Sequence, residues 1–185
     1  ELNLDTNTLV IFTSDNGPHN ESNHNYKRFS PSGPVSGLKR SLTDGGIRVP
    51  CIAWWPGRVT AGSQSHHVAY FGDWMATAAE LAGAKIPTDR DSISFVPTLQ
   101  NRSQEQAKHE YLYWEFHERG FSQAVLYQGR WKGIRERSIK APLMLFDLQT
   151  DIAETNDLAS KNPELVVKLT KYLDGARSES ADWPI

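Results

Sequence analysis

The sequence holds a single cysteine, Cys51, in 185 residues. An internal disulfide and a cysteine-built zinc ribbon are therefore excluded. No apolar run approaches the ~20 residues that a membrane-spanning helix needs, so no membrane role is expected. Charge of one sign is missing as well: 20 Lys and Arg stand against 22 Asp and Glu, a net charge of −2. Without a basic excess, nucleic acid is not an expected partner. No signal peptide is visible, and the chain enters a core-type strand almost at once, so it reads as a piece of something longer. Compartment is left unassigned by the residues. A Gly-x-Ser-x-Gly elbow, a P-loop and a dinucleotide fingerprint are also lacking. The pairs His109-Glu110 and His117-Glu118 are not followed by a second histidine at the zinc-protease spacing, where Tyr113 and Phe121 stand. The acidic run Asp147–Asp157 has Ile152 and Leu158 where a calcium-binding EF-hand loop requires Gly and Glu. It reads as a solvated turn leading into the last helix.

What is present is an ordinary globular composition and a change of pattern part-way along. Leu9–Phe12 is a short continuous apolar run, expected as a strand buried on both faces. Residues 15–37 are rich in Asn, Ser, Gly, Pro and His and read as a long functional loop. Val49–Trp54 is expected as a second buried strand, with Cys51 a small buried hydrophobe. Phe71, Trp74, Met75, Ala78, Ala79 and Ala82 fall at helical spacing, with Gly83 as the stop. Strand, loop, strand, helix favours an α/β fold. Later, Tyr111–His117, Gln123–Gln128, Arg130–Arg135 and Leu143–Asp147 read as four short strands, with Gly129 in a tight hairpin. Asn162 is placed as N-cap and Pro163 as the first residue of a helix striped by Leu165, Leu169, Tyr172, Leu173 and Ala176. The expected domains are 1–105, part of an α/β domain, and 106–185, an antiparallel sheet closed by a helix.

The chemistry concentrates in two stretches. In "TSDNGPHN" the first strand runs into Asp15 and Asn16, an anionic and a neutral oxygen donor beside a Gly-Pro turn. Hard divalent cations prefer that mixture. On these residues alone, an Asp-Asn turn closed by local hydrogen bonds is the favoured reading. In "SGLKRSLTDGGIRVP", Lys39 offers a compact positive charge suited to a tetrahedral oxyanion, Asp44 a carboxylate to hold a turn through backbone amides, and Gly45-Gly46 close backbone approach. Lys39-Arg40 as a plain solvated pair remains open on these residues alone.

In order, "TSDNG", about twenty residues later "GLKRSLTDGGIRVPCIAWWPG", and then "YLYWEFHERGFSQAVLYQGRWKGIR" and "LFDLQTDIAETNDLA", the sequence resembles the type I sulfatases. These are the arylsulfatase and N-acetylgalactosamine-6-sulfatase-like branch of the alkaline-phosphatase superfamily. The resemblance covers nearly the whole chain and implies a hydrolase of sulfate esters, acting on a sulfated sugar or aryl sulfate, in the periplasm or secreted. It implies calcium held partly by Asp15 and Asn16, polarising a sulfate oxygen. Lys39 would contact the sulfate and neutralise charge developing on it. Asp44 stands where the family often has Glu. His19 and His117 are further candidates for substrate contact, and each is also read as an ordinary loop or structural histidine. The family's nucleophile is a formylglycine made from Cys or Ser in a Cys/Ser-x-Pro-x-Arg motif. That motif is absent: Cys51 is followed by Ile52-Ala53-Trp54. The formylglycine and remaining ligands are expected upstream, in the N-terminal part of the same protein. The chain alone is then expected to be inactive and to self-associate through apolar surface. Alternatives are a phosphatase or phosphonate hydrolase of the same superfamily, separated by its upstream nucleophile, and a non-catalytic carbohydrate- or partner-binding module.

Overall fold

The computed structural model describes residues 2–22, 25–118 and 120–185. It divides into two compact units, Glu1–Thr13 with Pro50–Glu110, and Ser14–Val49 with Tyr111–Ile185.

In the first unit, β1 (Val10–Thr13) pairs antiparallel with β2 (Cys51–Trp54) in a two-stranded sheet. Period-2 alternation and the register Val10↔Trp54, Phe12↔Ile52 put these four apolar residues on one face. That face is open: Phe12 is 64% and Trp54 51% exposed. Burial of both faces, expected from the unbroken apolar run, is therefore not found, because among the described residues no second layer covers this face of the ribbon. Cys51 is likewise exposed rather than buried. After the single-turn α1 (Asp44–Ile47) comes α2 (Asp73–Leu81). Its buried side is not the expected aromatic and alanine stripe. Phe71 and Met75 are exposed, while Asp73, Ala76 and Thr77 are buried. The reason is polar: the Asp73 carboxylate accepts the amides of Tyr70 and Ile93 (3.1 and 2.8 Å) and pairs with His109 Nε2 at 2.9 Å. The Thr77 hydroxyl donates to Asp73 O and accepts the Phe95 amide, seating the short α3 (Val96–Leu99) against it.

The second unit is built on a meander in the order β3 (Tyr111–Phe116), β4 (Ser122–Tyr127), β5 (Trp131–Arg135) and β6 (Met144–Asp147), all antiparallel. Gln128 and Gly129 both lie at positive φ (52° and 66°), which turns β4 into β5 tightly. One sheet face carries Val125, Leu145 and Leu143, closed by Leu169 and Leu173 of α4 (Pro163–Gly175). The helix starts at Pro163 as its spacing implies. Asn162 occupies the cap position without capping, since its side-chain amide donates instead to Leu158 O at 3.0 Å. The other face carries Ala124, Ile134 and Phe146 and is covered by Leu42 and by Ile47 of α1. The α/β class and the sheet-plus-helix architecture expected of the second half are those observed.

Asp147 ends β6 in a two-pronged pair with Arg130, at 2.8 and 2.7 Å. That hydrogen bonding holds the Asp147 carboxyl below its ordinary 3.8, against the opposing effect of burial. A depressed carboxylate pKa contributes stability above the unfolded value and loses it as pH falls through the folded one. We therefore expect Arg130→Ala to lower the melting temperature at pH 7, and the gap to wild type to narrow as pH is taken below 3.8. A small residue from the Arg130–Trp131 stacking should persist at all pH values. Melting curves from pH 2 to 7 that run parallel for the two proteins would refute the assignment.

Candidate functional site

The two chemically loaded stretches are locked together through their backbones. The Ser14 hydroxyl donates to Asn16 O (2.9 Å), and the Asn16 side-chain amide donates to Gly17 O (2.8 Å). The Gly17 amide donates to Gly46 O at 2.9 Å, the Lys39 amide to Pro18 O at 2.8 Å, and the Gly45 amide to Ser36 O at 2.7 Å. No room is left between these passes. A β-carbon on Gly17 would lie 1.8 Å from Gly45 O, and one on Gly45 would lie 2.3 Å from Gly37 O and Ser36 O. Glycine is required here for close approach. The turn carrying Asp15 and Asn16 thereby sits directly against the loop carrying Lys39 and against α1 (Asp44–Ile47), a single helical turn.

Around Lys39 the charges alternate. Its ammonium is 3.8 Å from Glu21 Oε2. Arg40 pairs with Glu21 on one side and with Glu118 Oε2, at 2.7 Å, on the other. These contacts hold the Glu21 carboxyl below the usual range, the Arg40 hydrogen bond contributing most. Arg40 has φ +79°, a conformation disfavoured for a residue with a β-carbon and found where surrounding contacts impose it. His19 Nδ1 accepts the Glu21 amide at 3.2 Å, so it belongs to the same loop cluster. His117 is held differently. Its Nε2 is 3.2 Å from Glu115 Oε1, and its ring lies between Phe121 and Trp183. Glu115 also accepts the Tyr113 hydroxyl at 2.7 Å and forms an ion pair with Arg177, whose Nε lies 3.2 Å away. Burial above all pushes the Tyr113 hydroxyl up to about 12.

Asp44 departs from expectation. Its carboxylate does not bind turn amides but accepts from Lys132 Nζ at 2.9 Å, with Arg48 at 3.4 Å. Its own amide donates to Glu154 Oε2 at 2.6 Å. Glu154 Oε1 lies 3.4 Å from the Lys132 ammonium. Lys132 is 0%, Asp44 5% and Glu154 7% exposed. Burial pushes the Glu154 carboxyl up, while Lys132 and the Asp44 amide pull it back. Neither Lys132 nor Glu154 stood out in the sequence, and the Asp147–Asp157 turn is not solvated throughout. One signal was readable. Lys132 alternates onto the same sheet face as Ile134, opposite Leu126 and Phe146, which is an apolar face.

The fit to calcium can be tested on these residues. Asn16 uses its amide nitrogen on Gly17, which leaves the amide oxygen as the donor for a cation, and Asp15 is exposed beside it. They suit calcium as part of a ligand set only, since calcium takes six to eight oxygens. Among the described residues no group of three or more His, Cys, Asp or Glu could hold a metal ion. Cys51 lies exposed in β2, outside any Pro-x-Arg context.

Residues 38–179 match the family model described as N-sulphoglucosamine sulphohydrolase, C-terminal. The chain belongs to this sulfatase C-terminal family. The match includes Lys39, Asp44, Lys132 and Glu154, and begins after Asp15 and Asn16. Human N-acetylgalactosamine-6-sulfatase is 41% identical over 101 residues, 54% of this chain and 19% of that enzyme. Human steryl-sulfatase is 37% identical over 143 residues, covering 75% and 23%. The chain thus spans about a fifth of the length of these curated relatives. Among solved structures, a protein from a Bacteroides thetaiotaomicron locus for glycosaminoglycan metabolism superposes with TM-score 0.75 at 28% identity, over 94% of this chain and 39% of that one. Ps i-CgsB, in complex with k-i-k-neocarrahexaose, gives 0.73 at 27%, over 93% and 37%. The family and its fold are therefore those the motifs implied.

The glycine contact makes a direct prediction. Gly17→Ala should destabilise by ~1–3 kcal/mol, as forced overpacking does. It should also expose residues 14–49 to protease before the β3–β6 sheet. Gly175→Ala, where a β-carbon meets nothing within 4 Å, is the control. Equal denaturation midpoints for the two variants would show that the loop has slack.

Proposed function

We propose that the protein carrying this chain is a calcium-dependent sulfatase that hydrolyses the sulfate ester of a sulfated carbohydrate. The observation that carries this reading is the backbone interlock that seats the Asp15-Asn16 turn against the Lys39 loop. An oxygen-donor pair and a mobile cation held side by side suit an ester carrying a tetrahedral dianionic group. Sulfatase relatives named for N-acetylgalactosamine 6-sulfate, and a structural neighbour holding a neocarrahexaose, support a sugar as substrate.

In this reading Asp15 and the amide oxygen of Asn16 are two of the calcium ligands. The ion would supply Lewis-acid polarisation of a sulfate oxygen. Lys39 exchanges its contact with Glu21 for the sulfuryl oxygens and neutralises charge developing there. The Arg40 pairs with Glu21 and Glu118 keep Lys39 from collapsing onto a permanent partner. His19, on the same loop, and His117, at the end of β3, are assigned contacts with the sugar. The nucleophile is assigned to the protein outside this chain, as a formylglycine.

The test uses the whole protein and a pair of matched substrates, 4-nitrophenyl sulfate and 4-nitrophenyl phosphate. Sulfate turnover should dominate, should be lost on chelation, and should return with calcium. Lys39→Ala should lower kcat/KM about 100- to 1,000-fold, the range for removing one electrostatic stabiliser. Asp15→Ala should raise the calcium concentration needed. Preferential phosphate turnover would replace the reading with a phosphatase; glycan binding without turnover or calcium dependence would replace it with a binding module.

We also infer that the open face of Val10, Phe12, Ile52 and Trp54 is covered in the whole protein by its remaining chain. The relatives are about five times longer than the matched segment, so material to cover it exists. In isolation this face meets water, and the chain should self-associate. Sedimentation velocity should show oligomers that Phe12→Lys with Trp54→Lys disperses. A monomer at every concentration would contradict this.

A further inference from the structure

A fully buried lysine that touches no proposed ligand calls for a reason. Lys132 projects from β5 onto the sheet face that Leu42 and Ile47 cover, and it is met there by two carboxylates from distant segments. Four charges gather: Lys132 and Arg48 against Asp44 and Glu154, which sum to zero. Glu154 plays a double part. One oxygen takes the backbone amide of Asp44 at 2.6 Å, and the other faces the Lys132 ammonium at 3.4 Å. Its backbone sits at φ +53°, outside the range ordinary side chains prefer, so the local chain conformation is given over to this placement.

We infer that Lys132 and Glu154 are positioning residues for the sulfate-binding loop: acting through Asp44, they set the location of Gly17 and hence of Asn16 and Lys39. The path has no slack. Asp44 begins α1; Gly45 and Gly46 follow; Gly46 O receives the Gly17 amide, and Gly45 O stands where a Gly17 β-carbon would be. Gly17 is bonded to Asn16 on one side and to Pro18 on the other, whose carbonyl receives the Lys39 amide. A shift of Asp44 is passed on through hard backbone contacts rather than absorbed by side chains. The β3–β6 sheet therefore acts as the reference frame for the loop, through one buried ion cluster. This rests on the proposed sulfatase reading only where sulfate affinity is concerned; the mechanical coupling stands apart from it.

The test is made in the whole protein with two variants. Glu154→Gln keeps an acceptor for the Asp44 amide but loses the attraction to Lys132. The double variant Lys132→Met with Glu154→Gln removes one buried charge of each sign and leaves Asp44 paired with Arg48. Hydrogen–deuterium exchange is read in peptides covering residues 14–49 and, as reference, 122–135. Inhibition of turnover by inorganic sulfate reports the Lys39 site. In Glu154→Gln, exchange across 14–49 should rise at least tenfold and the sulfate inhibition constant should rise at least tenfold. Residues 122–135 should stay within twofold of wild type. In the double variant the melting temperature should recover toward wild type while loop exchange and sulfate affinity stay impaired. Recovery of all three together would mean that the cluster only stabilises the fold, and would overturn the inference. Unchanged loop exchange in Glu154→Gln would overturn it as well. Loosening of the loop in a protein with no sulfatase activity would support the coupling and refute the proposed function instead.

Discussion

The second unit is organised around a charge that has no access to water. An ammonium buried without a carboxylate costs several kcal/mol, and its pairing must come with good geometry. Lys132 lies amid Ile134, Leu126 and Phe146 on a sheet face that would otherwise close with apolar side chains. Its need for counter-charge draws in Asp44 from one side and Glu154 from the other. Leu42 and Ile47 then complete the cover. Trp114, whose ring centroid is 5.6 Å from the ammonium, adds a weaker attraction. The loop 14–49 thus rests on the sheet through a specified ionic contact rather than through apolar burial alone. An apolar contact tolerates sliding; an ion pair with a 2.9 Å hydrogen bond does not.

The second constraint is steric. Gly17, Gly45 and Gly46 let three backbone passes approach more closely than any side chain would permit. Close backbone contact is what brings two separately unremarkable sequences, an Asp-Asn turn and a Lys-Arg loop, into one candidate site. Electrostatics then keep the site open. Lys39 has a distant partner in Glu21, which Arg40 engages more closely together with Glu118. The unfavourable φ of Arg40 is consistent with a side chain recruited to that purpose.

How much of this was legible in the sequence follows from the range of each interaction. The four strands and last helix of the second half were readable within a residue or two, because alternation, Gly129 and Pro163 are local signals. Element positions in the first half were also near, but their exposure was not. Whether β1 and β2 are buried depends on what lies over them, and the stripe on α2 was overridden by the Asp73–His109 pair, 36 residues apart. Asp15, Asn16 and Lys39 were singled out through spacing and family resemblance, and their roles rest on the proposed function. Lys132 and Glu154 were not, since the partner that explains them is 88 and 110 residues away in Asp44. A polar residue at an apolar register position was the only trace.

On the proposed calcium reading, the donor count makes the activity a matter for the whole protein. Two oxygens from Asp15 and Asn16 are fewer than half of what calcium takes, and the nucleophile's motif is missing from the same chain. Asp15 and Asn16 lie in a loop fastened to the sheet, whereas ligands contributed from outside this chain would be fastened elsewhere. A metal bound between them therefore makes its affinity depend on the rigidity of both holders. Each ångström of freedom in the 14–49 loop would be charged against binding as ordering entropy. On the inferred coupling, fastening the loop through Lys132, Asp44 and Glu154 would remove that freedom before any ion arrives. The otherwise costly burial of Lys132, Asp44 and Glu154 beneath the proposed site is in this sense the physical condition for that site to be completed.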